Sequence, residues 1–453
     1  MAGFASIGLA QATSARRIDP AQGPQIAWAN PSRSAGAGQD VGAQVHASEP
    51  VGNRREADGA RAASGRMAER LELELRGGEV LLARSLTGTV DGGEGLLAKV
   101  DAGAGGGGGP RRISMDDLLA VRSGVVRPVP LLRVELVGGG LLHGAISGGD
   151  VNGDTLELQT PVFGRTDVMI DRLSVVAQPG VHPADQRLPE GVDEGVFVAT
   201  GRGYDLVAGT LHRFGAQGVH FQPDGQEEPV WYAARKFSSL RLRGGLPAEQ
   251  AGGCLLVSRL GDRVDVELVA CRSDGVDVQL ESGAVASVRW ADVACLVFTP
   301  KVVHLSSIEP SDASERGIDG PVVHPWRRDR AVVGGTELQA HARAYGRGIG
   351  MHSFSRLRFV APAGATHFRS RVALDDTASA LPFRAAAEVR VLRDDEVVYE
   401  AKQLEAGAEP RDVGLHEVQP GQEITLEVDF GPGRELGDRV DWLLPVFLLG
   451  SGA

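Results

Sequence analysis

The chain has 453 residues, 42% of them hydrophobic, and a formal net charge of −12 at pH 7. That length exceeds one ordinary domain, and the apolar share is enough for real cores. The acidic balance argues against nucleic acid as the main partner, since phosphate binding needs clustered Lys and Arg. No stretch reaches the ~20 apolar residues that a membrane span requires.

Residues Ala2 to Ala15 are mildly apolar and end in small residues, but they lack a basic n-region. They read either as the remnant of a signal peptide that begins upstream or as a plain tail. The rest of residues 1–69 shows no periodicity and is rich in Gly, Ala, Ser, Arg and Gln, so a disordered tail is expected.

From Leu71 the pattern alternates with period two. Leu71-Glu72-Leu73-Glu74-Leu75 precedes Arg76-Gly77-Gly78, and a second copy opens at Val134-Glu135-Leu136-Val137-Gly138-Gly139. Glu74 and Glu135 each stand three residues before a Gly. The closing phrases also match: Ile113-Ser114-Met115-Asp116-Asp117-Leu118-Leu119-Ala120-Val121 aligns with Val168-Met169-Ile170-Asp171-Arg172-Leu173-Ser174-Val175-Val176. Weaker copies begin at Gly195 and Cys254 and close on Phe237-Ser238-Ser239-Leu240 and Val293-Ala294-Cys295-Leu296-Val297. Short strands repeated in this way predict tandem small β-modules, each a sheet or open barrel, over 70–124, 131–180, 191–243 and 252–299. Units this small bury little surface alone, so copies should pair. A spacer or scaffold is the default role for them.

Cys254, Cys271 and Cys295 form no CxxC pair, which disfavours structural zinc. They read as buried thiols, with one disulfide as the alternative.

After Thr299-Pro300 the residues change character. Alternating or apolar runs at Leu357 to Val360, His367 to Leu374, Ala387 to Leu392, Val397 to Glu400 and Ile424 to Phe430 suit a two-sheet sandwich. An ordered series of phrases runs through the same segment. Leu305-Ser306-Ser307-Ile308-Glu309-Pro310 opens it, then Trp326-Arg327-Arg328-Asp329 and Gly335-Thr336-Glu337-Leu338. Tyr345-Gly346-Arg347-Gly348-Ile349-Gly350-Met351-His352-Ser353-Phe354-Ser355 is the most telling of them. Phe368 to Asp376 and Asp438-Arg439-Val440-Asp441-Trp442 complete the series.

Together these phrases resemble the NPCBM family, the novel putative carbohydrate-binding modules, over residues 303–450. The resemblance implies a galactose-binding-like jelly-roll sandwich of the kind appended to glycoside hydrolases and found in bacterial extracytoplasmic proteins. It implies non-catalytic glycan binding and a secreted, periplasmic or cell-surface location. Two departures stand out. The small or acidic run that usually follows D-W is Leu443-Leu444-Pro445 here, and the usual V-G-x-D is Val372-Ala373-Leu374-Asp375.

Sugars are gripped by an aromatic face and by charged or amide groups that bind hydroxyls. The candidates are Trp326, Tyr345 and Trp442 for the face and His352, Asp375, Asp376 and Asp441 for the hydroxyls. Each has a bland reading beside it: a Trp as core plug, the His as a backbone partner at a strand start, the Asp pair as a turn. Asp375-Asp376 would also suit Ca²⁺, which takes oxygen ligands. Gly346-x-Gly348-x-Gly350 is not a GxGxxG and opens no helix, so a dinucleotide site is rejected. A glycosidase needs two carboxylates across a cleft, usually on a large scaffold; no catalytic barrel, GxSxG or HExxH is present, so catalysis is not expected. Two competing readings remain: a structural or protein-interaction part of a cell envelope, and an enzyme centred on Trp231, Tyr232 and Trp290.

Overall fold

The computed structural model describes residues 70–450 apart from 91–94, 102–107, 128, 182–185, 201–202, 244–252, 318–323 and 431–436. The expectations for the N-terminal tail and signal remnant therefore lie outside the described residues. The described chain is all-β, with only short 3₁₀ turns among its strands.

The alternation seen in the sequence separates two faces. Leu71, Leu73 and Leu75 point into the core and leave Glu72 and Glu74 on the other side of the strand. The first module consists of Leu71–Leu75, Val80–Thr89, Leu96–Val100, Gly109–Ile113 and Leu118–Arg122. Its first four strands form an antiparallel meander, and the fifth returns to pair with the first. The same pattern recurs in the second module, Leu132–Leu136 to Leu173–Ala177. It recurs again in the third, Glu194–Thr200 to Phe237–Leu242, and the fourth, Cys254–Ser258 to Val293–Phe298. The matched closing phrases have a structural cause. In both, a strand ends, a 3₁₀ turn follows (Met115–Asp117 and Ile170–Arg172), and the fifth strand begins.

The modules pair, but not in chain order alone. The fifth strand of the first lies antiparallel to that of the fourth, with Val121 opposite Leu296. The fifth strand of the second lies against that of the third, with Val176 opposite Leu240. All four of these residues hold the fourth position of their strands, so each pair has a local two-fold arrangement. The fourth module also touches the second, where Asp262 accepts the His143 backbone N–H at 2.7 Å. One apolar cluster consequently runs through all four copies.

The C-terminal sandwich has two sheets. One orders Arg327–Arg328, Gly348–Met351, Val440–Leu449, Ala365–Leu374 and Arg411–Glu417. The other orders Asp312–Glu315, Ser355–Val360, Glu423–Asp429, Ala386–Arg393 and Glu396–Glu405. Phe359, Phe368, Val428 and Trp442 fill the space between them.

The outer face of the first sheet docks on the pair formed by the first and fourth modules. Leu119, Leu255, Val257 and Ala294 meet Ala344, Tyr345, Ala373, Leu443 and Leu444 in a separate apolar cluster. Both departures from the family phrases lie here. Trp442 points into the sandwich, whereas Leu443 points to the modules. Gly346 marks the closest approach, since a Cβ there would sit 3.0 Å from Val257 and 3.2 Å from the Cys295 sulfur. A buried ion triad joins the same surfaces: Glu74 accepts from Arg122 of its own module and from Arg369 of the sandwich at 2.7 Å. Burial alone would raise the Glu74 carboxyl, but Arg122, Arg369 and Arg371 outweigh it and hold it below the ordinary value.

Candidate functional site

The seven residues singled out from the sequence do not converge. Tyr345 is 2% exposed, and its ring lies 4.5 Å from the Arg122 guanidinium in the docking surface, so it cannot stack on a sugar. Trp442 is fully buried as a core plug, and its Nε1 has no hydrogen-bond partner among the described residues. Asp441 is likewise fully buried. Burial, and then the neighbouring Asp375 and Asp376 charges, push its carboxyl well above the usual carboxylate range.

Asp375 and Asp376 are structural caps and do not form an open oxygen cradle. Asp375 accepts from the Thr377 N–H at 2.9 Å at the start of a 3₁₀ turn and from the Gln339 N–H at 3.3 Å. Asp376 accepts from the N–H groups of His341 and Ala342 at 2.8 and 3.0 Å, which fixes the Leu338–Tyr345 hairpin. No cluster of three or more His, Cys, Asp or Glu side chains suited to a metal occurs among the described residues. Cys254, Cys271 and Cys295 are free and buried, so the disulfide alternative is not realised.

Trp326 and His352 lie at the same sheet edge, Trp326 half-buried against the sandwich core. Arg327–Arg328 pairs with Gly348–Met351 at the edge of the first sheet, which sets Trp326 beside the end of the His352 strand. The His324 and His352 rings are 5.1 Å apart. Glu315, arriving from the second sheet, accepts the Trp326 N–H at 2.7 Å and the Ser355 hydroxyl at 3.4 Å. The half-buried Phe354 lies under the Arg316 guanidinium at 4.5 Å, and Arg328 lies over Trp326 at 5.3 Å. The result is a rim of half-exposed rings interleaved with imidazole, guanidinium and carboxylate groups.

His324, Phe354, Arg316 and Glu315 were missed from the sequence. His324 and Phe354 lie just outside the strands Arg327–Arg328 and Gly348–Met351, where strand alternation gives no signal. In the repeats, Trp290 is 5% exposed and donates to the Arg272 carbonyl at 2.9 Å. Tyr232 packs edge-on against Phe221, and only Trp231, 42% exposed beside His220, faces solvent.

Residues 301–448 match the family model described as NPCBM/NEW2 domain. Nothing among the curated proteins matches the chain. Among solved structures it is similar to CBM51 from Clostridium perfringens GH95 in complex with methyl-galactose, at 19% identity and a TM-score of 0.28, over 32% of this chain and 99% of that one. It is also similar to CBM51-2 in complex with GlcNAc and INT domains from Clostridium perfringens ZmpB, at 20% identity and TM-score 0.29. There it covers 46% of this chain and 42% of that one, less than half of that relative's length. Tandem CBM51 modules of Sp3GH98, the family 98 glycoside hydrolase from Streptococcus pneumoniae SP3-BS71, align over 68% of this chain and 88% of that one, at 13% identity and TM-score 0.29.

Proposed function

We propose that the chain binds glycans reversibly and without catalysis, through the sandwich rim around Trp326, His352 and His324, and that the four β-modules form a rigid mount for it. The observation that carries this reading is that the rim gathers rings, imidazoles and charged groups on a segment matching the NPCBM/NEW2 domain. Rings offer a stacking face for sugar C–H groups, while His, Arg and Glu offer donors and acceptors to hydroxyls. Catalysis has no equivalent support among the described residues of the rim. A secreted, periplasmic or cell-surface setting belongs to the same reading. No helix among the described residues is long and apolar enough to cross a membrane.

The envelope-component alternative has one observation in its favour. The family departures at Ala373 and Leu443-Leu444 lie in the cluster that packs the sandwich on the modules, a protein contact within the chain. Glycan-array binding by the full chain separates the two readings. Binding is expected for the intact protein, with a loss of about tenfold or more for Trp326→Ala, given what an aromatic contact contributes. No binding to any glycan by the intact chain would leave the interaction reading standing alone.

A further inference from the structure

In the third module, Gly203–Gly215, Gly218–Pro223 and Val230–Ala233 form three neighbouring antiparallel strands. Val219 and Phe221 point into the core, so His220 and Gln222 face outward. Trp231 stands opposite His220 on one side and Arg213 on the other, a row of three side chains across three strands. The Trp231 indole extends over two glycines. A Cβ at Gly215 would sit 3.1 Å from its Cζ3, and one at Gly218 would sit 2.5 Å from its Cζ2. Gly215 has no left-handed φ, and among the described residues the indole is all that its side chain would meet. Glycine at this position therefore serves the ring and not a turn. Trp231 remains 42% exposed, with the His220 ring tilted beside it at 4.9 Å.

The other modules show that the fold does not need a ring there. The pair His220 and Trp231 corresponds to Asp277 and Ser287 in the fourth module, Glu157 and Asp167 in the second, and Leu97 and Arg112 in the first. In the fourth, Arg272 takes the place of Gly215. Its guanidinium donates to Asp277 at 2.6 Å, and Ser287 donates to the same carboxylate at 2.6 Å. Polar pairs close that surface on itself. In the third module glycine replaces the arginine, and the ring above it stays open.

The surroundings of the ring are polar. His212 Nε2 lies 2.7 Å from Gln222 Oε1, and the Gln222 amide donates to the Gln226 carbonyl at 2.8 Å. Burial, and then Arg213 and His212, hold the His220 imidazole below its ordinary 6.5, so at pH 7 it offers one N–H and one acceptor nitrogen. A protein-binding anchor sits in a desolvated apolar patch. A single ring bordered by imidazole, guanidinium and amide groups suits a ligand with one C–H face and many hydroxyls, which describes a pyranose.

We infer that the outer face of the third module is a second glycan-binding site, where Trp231 stacks on the C–H face of a neutral pyranose and His220 and Arg213 bond its hydroxyls. It shares no residue with the sandwich rim and does not rest on that reading. Two sites on one chain raise its hold on a long polysaccharide with no new contact at either.

The test is affinity electrophoresis of the full chain at pH 7 in gels holding neutral galactan, xylan or mixed-linkage β-glucan, with Trp326→Ala used to disable the rim. At least one polymer is expected to retard Trp326→Ala. Adding Trp231→Ala should weaken that binding about tenfold, the scale of one stacking contact. Trp231→Tyr in the same background should restore it, because an aromatic face is kept. Equal retardation of Trp326→Ala and the double variant would overturn the assignment, and so would no retardation of Trp326→Ala by any of the three polymers. Self-association of the intact chain that Trp231→Ala abolishes, with retardation unchanged, would give the ring to protein contact instead. Retardation kept in full by Trp326→Ala but lost with Trp231→Ala alone would sink the rim and leave the third-module site standing.

Discussion

The first and fourth modules join their fifth strands with Val121 opposite Leu296, and the second and third join theirs with Val176 opposite Leu240. The two pairs share strand order and register, yet their outer faces differ in chemistry. In the first-and-fourth pair that face holds Leu119, Leu255, Val257 and Ala294 and receives the sandwich. The corresponding positions of the other pair are Ser174, Gly195, Phe197 and Ser238, two of them hydroxyls. There the face is closed by Gln186, which donates to the Ser238 hydroxyl at 2.8 Å and accepts from Ser239 at 2.5 Å. A repeated backbone therefore supplies two equivalent platforms, and side-chain chemistry alone selects which one takes a partner. Apolar area drives docking without direction, while Gln186, Ser238 and Ser239 on the other face already satisfy one another and gain little from a second partner.

The sharpest test of the comparison exchanges equivalent glutamates. Glu74→Gln leaves the buried Arg369 guanidinium without its carboxylate and Arg122 with Glu72 alone, and should cost about 3–5 kcal/mol in urea denaturation. Glu135→Gln, at a partly exposed ion pair, should cost about 1 kcal/mol or less. Equal losses would mean that the two faces are not energetically distinct. Next in size is Leu119→Ser, which puts the second module's residue into the docked face and should cost about 2–5 kcal/mol, as other large-to-small core changes do. Ser174→Ala, its counterpart, should stay within about 0.5 kcal/mol.

Gly346→Val tests how closely the sandwich must approach. The added atoms meet Val257 and the Cys295 sulfur, and overpacking of this kind costs about 1–3 kcal/mol. A fall in the unfolding midpoint is expected, together with faster thiol labelling of Cys295 as the surfaces part. Unchanged labelling would show that the interface gives elsewhere.

The smallest effect is a pH dependence with two opposed contributions. Glu74 has a lowered carboxyl, so its stabilisation is present above its ordinary value of 4.5 and is lost as pH falls through the folded value. Asp441 is raised from 3.8, so the folded state holds its proton more tightly, and stability declines as pH rises from about that value through the folded one. Asp441→Asn should therefore be more stable than the parent at neutral pH, with the difference closing towards pH 4. Urea midpoints across that range check it; a difference that stays constant with pH would rule out the protonation account.

Much of the fold was legible because strand alternation is local. Leu71, Leu73 and Leu75 announce an inward face without reference to any other segment, and the 3₁₀ turn before each closing strand leaves a matching phrase in two copies. The site was legible only in part. Trp326 and His352 remain in the rim, whereas Tyr345 and Trp442 are buried by surfaces far away in the chain. An aromatic residue reads the same in sequence whether it faces a sugar, a core or a second module. The strand Val440–Leu449 went unrecognised for a related reason: it is buried on both faces, so it has no polar alternation to reveal it.

By itself, the sequence determined the all-β class, the repeated modules and the family character of the last third, because these depend on periodicity and on ordered local phrases. Tertiary structure decided the pairing of first with fourth and second with third, and the meaning of Leu443-Leu444 as a docking surface. It also decided the gathering of His324 beside His352. Those features arise from contacts between residues far apart in the chain, and no local pattern encodes which distant surface will cover a given side chain.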